Sequence, residues 1–193
     1  STYLSRMYYD GVLERRGKGA ALRAGAAASR GAFVLFSDSG GCIPFEHSLR
    51  GIDLIRSGAC AIAIASRRHP ATQIVAAPSP FRRIGSRLFM ALIHRLAGIH
   101  GLFSDTQCGF KVFRGDVVRE LCAEAIATGF MLDIELILRA RRHGYRIQEF
   151  PVRWTCDRDT RLRPLPAALS SLLELRRILA AVGRAAVGPG GGS

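Results

Sequence analysis

The sequence predicts an α/β fold: a three-layer, doubly wound, mostly parallel sheet of Rossmann type. Three observations predict it. Two short runs, residues 32–36 and 60–65, are wholly apolar and lack the polar alternation of a half-exposed strand, so each is expected to be buried on both faces. Segments with helical spacing alternate with them, as in a parallel sheet covered on either side. The 193 residues, 48% hydrophobic and 22% charged, suffice for one domain with a sizeable core. No internal repeat is visible.

The elements follow in order. Residues 19–29 are alanine-rich and predict a helix closed by Gly31. Residues 32–36 form the first apolar strand. Residues 44–56 predict a helix, with Phe45, Leu49, Ile52 and Ile55 on one face, Pro44 near its start and Gly58 past its end. The strand at 60–65 leads into a polar stretch, 67–79, read as a loop. Residues 81–96 predict a basic amphipathic helix ended by Gly98, and 100–109 read as irregular. A short strand at 110–114 and a helix at 116–125 follow. Residues 130–143 predict a strong helix stopped by Gly144, then 145–154 a strand with Pro151 near its end, and 165–182 a last amphipathic helix. Residues 1–183 therefore read as a single domain and 184–193 as a flexible tail rich in glycine.

The net charge is +13 and is almost all arginine, with just two lysines, Lys18 and Lys111. Such an excess points to an anionic partner: nucleic acid, a phosphorylated small molecule or an anionic membrane surface. Nucleic acid is the weakest of these, because the basic helices carry no aromatic platform and no reader motif. The five cysteines are widely spaced, with no CxxC pair, and read as reduced thiols of a cytosolic protein. The longest clean apolar run, 59–65, falls far short of the ~20 residues that a membrane-spanning helix needs.

Chemistry is expected where parallel strands end, because ligands of doubly wound sheets bind past the carboxyl ends of the strands. Asp38 follows the first strand, and glycines after it allow close backbone approach. Ser66-Arg67-Arg68 follows the next. A carboxylate for a divalent cation and guanidinium groups for phosphate would then share one rim. The competing reading is a helix-capping aspartate with solvated arginines. The GKG at 17–19 opens a helix but lacks the spacing of a P-loop.

In order along residues 16–154, the segments RGKGAALRAGAAASRGAFVLFSD, AIAIASR, DTQCGFKVF and GFMLDIELILRARRHGYRIQEFPVRW resemble the inverting nucleotide-sugar glycosyltransferases of family 2, which have the GT-A fold. The nearest branch is that of the dolichyl-phosphate β-glucosyltransferases and their polyprenyl-phosphate relatives. The resemblance implies transfer of a hexose from UDP-glucose or GDP-mannose to a polyprenyl or dolichyl phosphate. It also implies peripheral attachment to the cytosolic face of the ER or plasma membrane. It places Lys18 near the nucleotide, Asp38 as the first carboxylate of a D-x-D motif binding Mg2+ or Mn2+, and Arg67 near a diphosphate or acceptor phosphate. It sets Asp105 and Gln107 at the sugar, Asp133 and Glu135 beside the acceptor, and makes Asp105 or Asp133 the general base. Asp133 and Glu135 are two apart on a predicted helix, so they point in different directions.

Two departures from that pattern bear on activity. The second aspartate of D-x-D is Gly40, which leaves one carboxylate for the cation and predicts weakened metal binding. The family's opening strands, with PAYNE-like and DDGS-like segments, are not in this chain, so the sheet is expected to lack them and to expose a strand edge. Two functions remain open on the sequence: a hexosyltransferase of reduced activity, and an inactive remnant that binds anionic membrane surfaces or a partner protein.

Overall fold

A computed structural model describes residues 17–76, 80–155 and 164–184. The tail expected beyond 184, the segment before 17 and Cys156 lie outside the described residues. In chain order the elements are α1 (Lys18–Ala28), β1 (Phe33–Ser37), α2 (His47–Arg56), β2 (Ile62–Ser66), β3 (Gln73–Ala76), α3 (Pro80–Leu96), β4 (Phe110–Arg114), α4 (Gly115–Glu124), α5 (Leu132–Arg142), β5 (Ile147–Pro151), β6 (Arg153–Thr155) and α6 (Pro164–Arg184).

The main sheet has the order β1-β4-β2-β5. β2 and β5 pair in parallel, while β4 runs antiparallel to both neighbours, β1 and β2. Three strands therefore share one direction, and β4 is a reversed strand inserted between two of them. The insertion matters for the site. It brings the start of β4 beside the carboxyl ends of β1 and β2: Ser37 faces Phe110, and Ile64 faces Lys111.

All five residues of β2 are buried, as the unbroken apolar run predicted. Ala63, Ala65, Phe110, Val112 and Phe150 face one side of the sheet, where Ile52 and Ile55 of α2 pack on them. Ile62, Ile64 and Phe113 face the other side, against Ala26 of α1, Ile93 of α3, Val117 and Leu121 of α4, Ile134 of α5 and Ile178 of α6. These are the three layers expected.

Two sequence expectations change. The loop at 67–79 contains β3, and the single strand expected at 145–154 divides at Val152 into β5 and β6. β3 and β6 pair in parallel as a separate two-stranded ribbon. Neither change is written locally: each short segment becomes a strand because the other is beside it. β1 ends the sheet, and its outer edge carries no partner strand among the described residues.

Candidate active site

The site is built where β1 and β2 end and β4 begins. The ladder between β1 and β4 continues one residue past Ser37, as the Asp38 amide donates to the Gly109 carbonyl at 2.8 Å. Asp38 lies directly over Gly109, where a Cβ would come 1.7 Å from Asp38 Oδ2. Glycine at 109 is thus what permits the Asp38 carboxylate its position.

Lys18 reaches the same place from α1. Gly17 has φ +89°, a conformation suited to glycine, and a Cβ there would lie 2.4 Å from the Thr128 carbonyl oxygen. The Ala20 amide donates to that carbonyl at 3.2 Å. The GKG turn therefore presses flat on the 128–129 backbone and sends Lys18 inward. Its Nζ stands 2.8 Å from Asp38 Oδ1 and 3.8 Å from Asp133 Oδ2. Burial pulls the Lys18 ammonium down, but Asp133 and Asp38 outweigh it and hold the group above its ordinary value, fully charged.

Lys111 meets Asp133 from the other side. Its Nζ donates to Asp133 Oδ1 and to the Cys108 carbonyl, both at 2.6 Å. Both partners are almost wholly buried. The chain's two lysines thus converge on one carboxylate. Sequence reasoning gave Lys111 no role, although a lysine inside the apolar strand FKVF was the available signal, since a buried ammonium requires a partner.

Arg67 and Asp105 form the second pair. Asp105 Oδ2 accepts from the Arg67 backbone amide at 3.0 Å and from Nε at 2.6 Å, and Oδ1 accepts from Nη2 at 2.7 Å. Burial pushes the Asp105 carboxyl up, yet the hydrogen bonds and charge of Arg67 prevail and hold it below the usual aspartate value. Arg67 is correspondingly raised, against its own burial. The Arg67 guanidinium also lies over the Trp154 ring, 5.7 Å from its centroid. The turn carrying Asp105 is fastened by Glu149 of β5, which accepts from the amides of Ser104 and Asp105 at 2.8–3.1 Å.

The sequence-predicted residues therefore separate into groups. Lys18, Asp38 and Asp133 are in one ion-paired cluster. Arg67 and Asp105 form the other, and the 105–109 turn joins the two. Gln107 sits on that turn and donates to the Phe130 carbonyl at 3.4 Å. Glu135 points the other way, as its offset from Asp133 required. It is fully buried and accepts from the amides of Ile126 and Ala127 and from Arg139. It braces α5 rather than facing the cluster.

One contributor gave no sequence signal. Glu174 of α6 accepts from the amides of Thr128, Gly129 and Met131 at 2.8–3.2 Å. It fixes the turn on which both Lys18 and the start of α5 rest.

Asp38, half exposed, offers one carboxylate to a divalent cation. A single half-exposed carboxylate fits a Mg2+ or Mn2+ ion as one protein ligand among several oxygen donors. Among the described residues, the one group of three metal-type ligands is Glu120, Glu124 and His143, on the exposed far side of α4 and α5. No described helix is long and apolar enough to cross a membrane.

No family model matches the chain. Among curated proteins, the dolichyl-phosphate β-glucosyltransferase of Saccharomyces cerevisiae is 32% identical over 154 residues, 73% of this chain and 45% of that protein. That of Drosophila melanogaster is 33% identical over 163 residues, 79% of this chain and 48% of that protein. The chain spans somewhat under half the length of these relatives. Among solved structures, glucosyl-3-phosphoglycerate synthase from Mycobacterium tuberculosis, in complex with Mn2+ and UDP-glucose, superposes with a TM-score of 0.61 at 19% identity, over 86% of this chain and 55% of that one. That likeness speaks for the fold. With relatives at 32–33% identity over about three quarters of the chain, the chain belongs to the family 2 glycosyltransferases of GT-A fold, on the dolichyl-phosphate β-glucosyltransferase branch, over the part of their length that it spans.

Proposed function

We propose that this chain carries the metal-, diphosphate- and acceptor-facing part of a transferase that moves glucose from UDP-glucose to a polyprenyl or dolichyl phosphate with inversion. The observation that carries the reading is the convergence of Lys18, Asp38 and Asp133 beside the Arg67–Asp105 pair on one sheet end. The relatives' names favour glucose over mannose.

In this mechanism an acceptor phosphate oxygen attacks C1 of the glucose, the C1–O bond to the diphosphate breaks, and UDP leaves with the electron pair. The acceptor is already anionic, so cationic positioning matters more than proton removal. Arg67, held rigid by Asp105, offers its remaining donors to a phosphate. Both Asp105 oxygens are engaged by Arg67, so Asp105 acts as a positioning residue. Lys18 and Lys111 neutralise Asp133 and keep the cluster from repelling two anions. Asp38 would hold a Mg2+ or Mn2+ ion, whose charge would help stabilise the leaving diphosphate.

The test is twofold: calorimetric binding of UDP-glucose with Mn2+, and formation of labelled lipid from UDP-[14C]glucose and dolichyl phosphate. Binding and transfer that both fall in Asp38→Asn support the reading. Gly40 favours a second reading, an inactive binding remnant, because the chain then gives the cation one carboxylate already paired with Lys18. Wild-type binding of UDP-glucose without any labelled product would select that second reading, and absence of both would overturn the first. Attachment to the cytosolic face of a membrane is part of the same proposal.

A further inference from the structure

A second basic cavity, of about 300 Å3, lies beside the site and is used by none of the steps above. It is lined by Arg68, Arg87, Ala91, His94, His100, Gly101, Phe103 and Ser104. Arg68 follows the end of β2, Arg87, Ala91 and His94 come from one face of α3, and the rest come from the loop before β4. Among the described residues no carboxylate lines it. The nearest acids are already spent: Asp105 on Arg67, and Glu149 on the amides of Ser104 and Asp105.

Arg67, at the site, is held by an acidic partner, Asp105. Arg68 donates to the Ser104 carbonyl at 3.1 Å, and among the described residues neither it nor Arg87 has an ion pair. His94 is buried and fixed by a 2.7 Å hydrogen bond to Thr106, so the floor of the cavity is rigid. The Arg68 and Arg87 guanidinium groups border one concave space with no carboxylate among its lining residues, so its potential is positive and favours an anion. Their fork geometry suits a phosphate.

We infer that this cavity is a phosphate-binding site separate from the Asp38–Arg67 site, taking a phosphate monoester or diester. The chemistry admits two sources. One is a soluble phosphate. The other is a lipid headgroup, because Ile84, Leu88 and Leu92 form an exposed apolar row at four-residue spacing on α3 beside Arg87 and Ala91. Acyl chains could follow that row from a headgroup held in the cavity.

The experiment compares the chain with the double variant Arg68→Gln/Arg87→Gln and the variant Leu88→Ser/Leu92→Ser, each first checked for native circular dichroism. Binding of inorganic phosphate and pyrophosphate is measured by calorimetry. Binding to phosphatidic acid vesicles is measured by flotation, with phosphatidylcholine vesicles as the control. The arginine variant is expected to weaken anion binding on the order of tenfold, from loss of two charge-assisted contacts. If the leucine variant loses vesicles but keeps phosphate, the site takes a lipid headgroup. If vesicles are not bound by any form while phosphate depends on the arginines, the ligand is soluble. Phosphate and vesicle binding unchanged in the arginine variant would overturn the proposal. UDP-glucose binding, followed in the same samples, separates this outcome from failure of the transferase reading.

Discussion

At Asp133 a single carboxylate serves both lysines of the chain, and the two contacts differ in burial. Lys111 is the close, buried partner, so Lys111→Met leaves Asp133 enclosed with only the more distant Lys18 ammonium at 3.8 Å. Such a change costs about 3–5 kcal/mol, and a fall of that size in urea unfolding free energy is expected. Gly109 acts by absence. Gly109→Ala forces the Asp38 side chain off its place, because no rotation of an added methyl relieves a contact with the Cβ itself. The expected result is loss of Mn2+-dependent nucleotide binding with a smaller change in stability, read by calorimetry and thermal melting on the same sample. Asp105 gives a pH signature. The Arg67 contacts hold its carboxyl below the usual aspartate range, so it stabilises the fold above that range and loses the contribution as pH falls through the folded value. Acid unfolding curves of the chain and of Asp105→Asn should therefore differ in slope below about pH 4 and run parallel above it.

Among the elements, α5 and α6 do more than cover the sheet. The start of α5 carries Asp133, and the turn before it is held by Glu174 from α6. That turn in turn receives the GKG loop, so three elements share one support. Glu174→Ala removes the acceptor of three amides, a loss of roughly 2–3 kcal/mol. It is also expected to loosen Lys18, so nucleotide binding should weaken although residue 174 touches no ligand. Glu174→Gln keeps one acceptor oxygen and should restore part of both. Hydrogen exchange of the 128–131 amides is the readout that distinguishes the two variants from a general loss of stability.

Over the whole molecule, a net charge of +13 is balanced locally but not globally. The acids cluster into ion pairs with selected arginines and lysines, and the surplus stays on the surface and around the second cavity. Long-range attraction of anions is then screened by salt. The affinity for pyrophosphate is expected to fall several-fold between 50 and 500 mM NaCl, measured by calorimetry, as the Debye length shrinks from about 14 to about 4 Å. A salt-independent affinity would instead assign binding to close contacts alone.

The sequence by itself determined the layers. The apolar runs at 32–36 and 60–65 could only be buried strands, and the spacing in 44–56, 116–125 and 130–143 could only pay for itself as helices against them. It also marked Asp38 and Arg67, because charged residues just past apolar strands have few places to go, whereas Asp105 was marked only by the family resemblance of DTQCGFK. Tertiary structure decided the rest, for a physical reason: pairing partners are set by distance in space, not along the chain. The reversal of β4 between β1 and β2 brought Lys111 to Asp133. The parallel match of β3 with β6 made strands of segments with weak preferences. Glu174 reached the 128–131 turn across some forty residues, and the two-residue offset that separates Asp133 from Glu135 became a division of labour only once α5 was packed, with one carboxylate in the cluster and the other closed inside the helix layer.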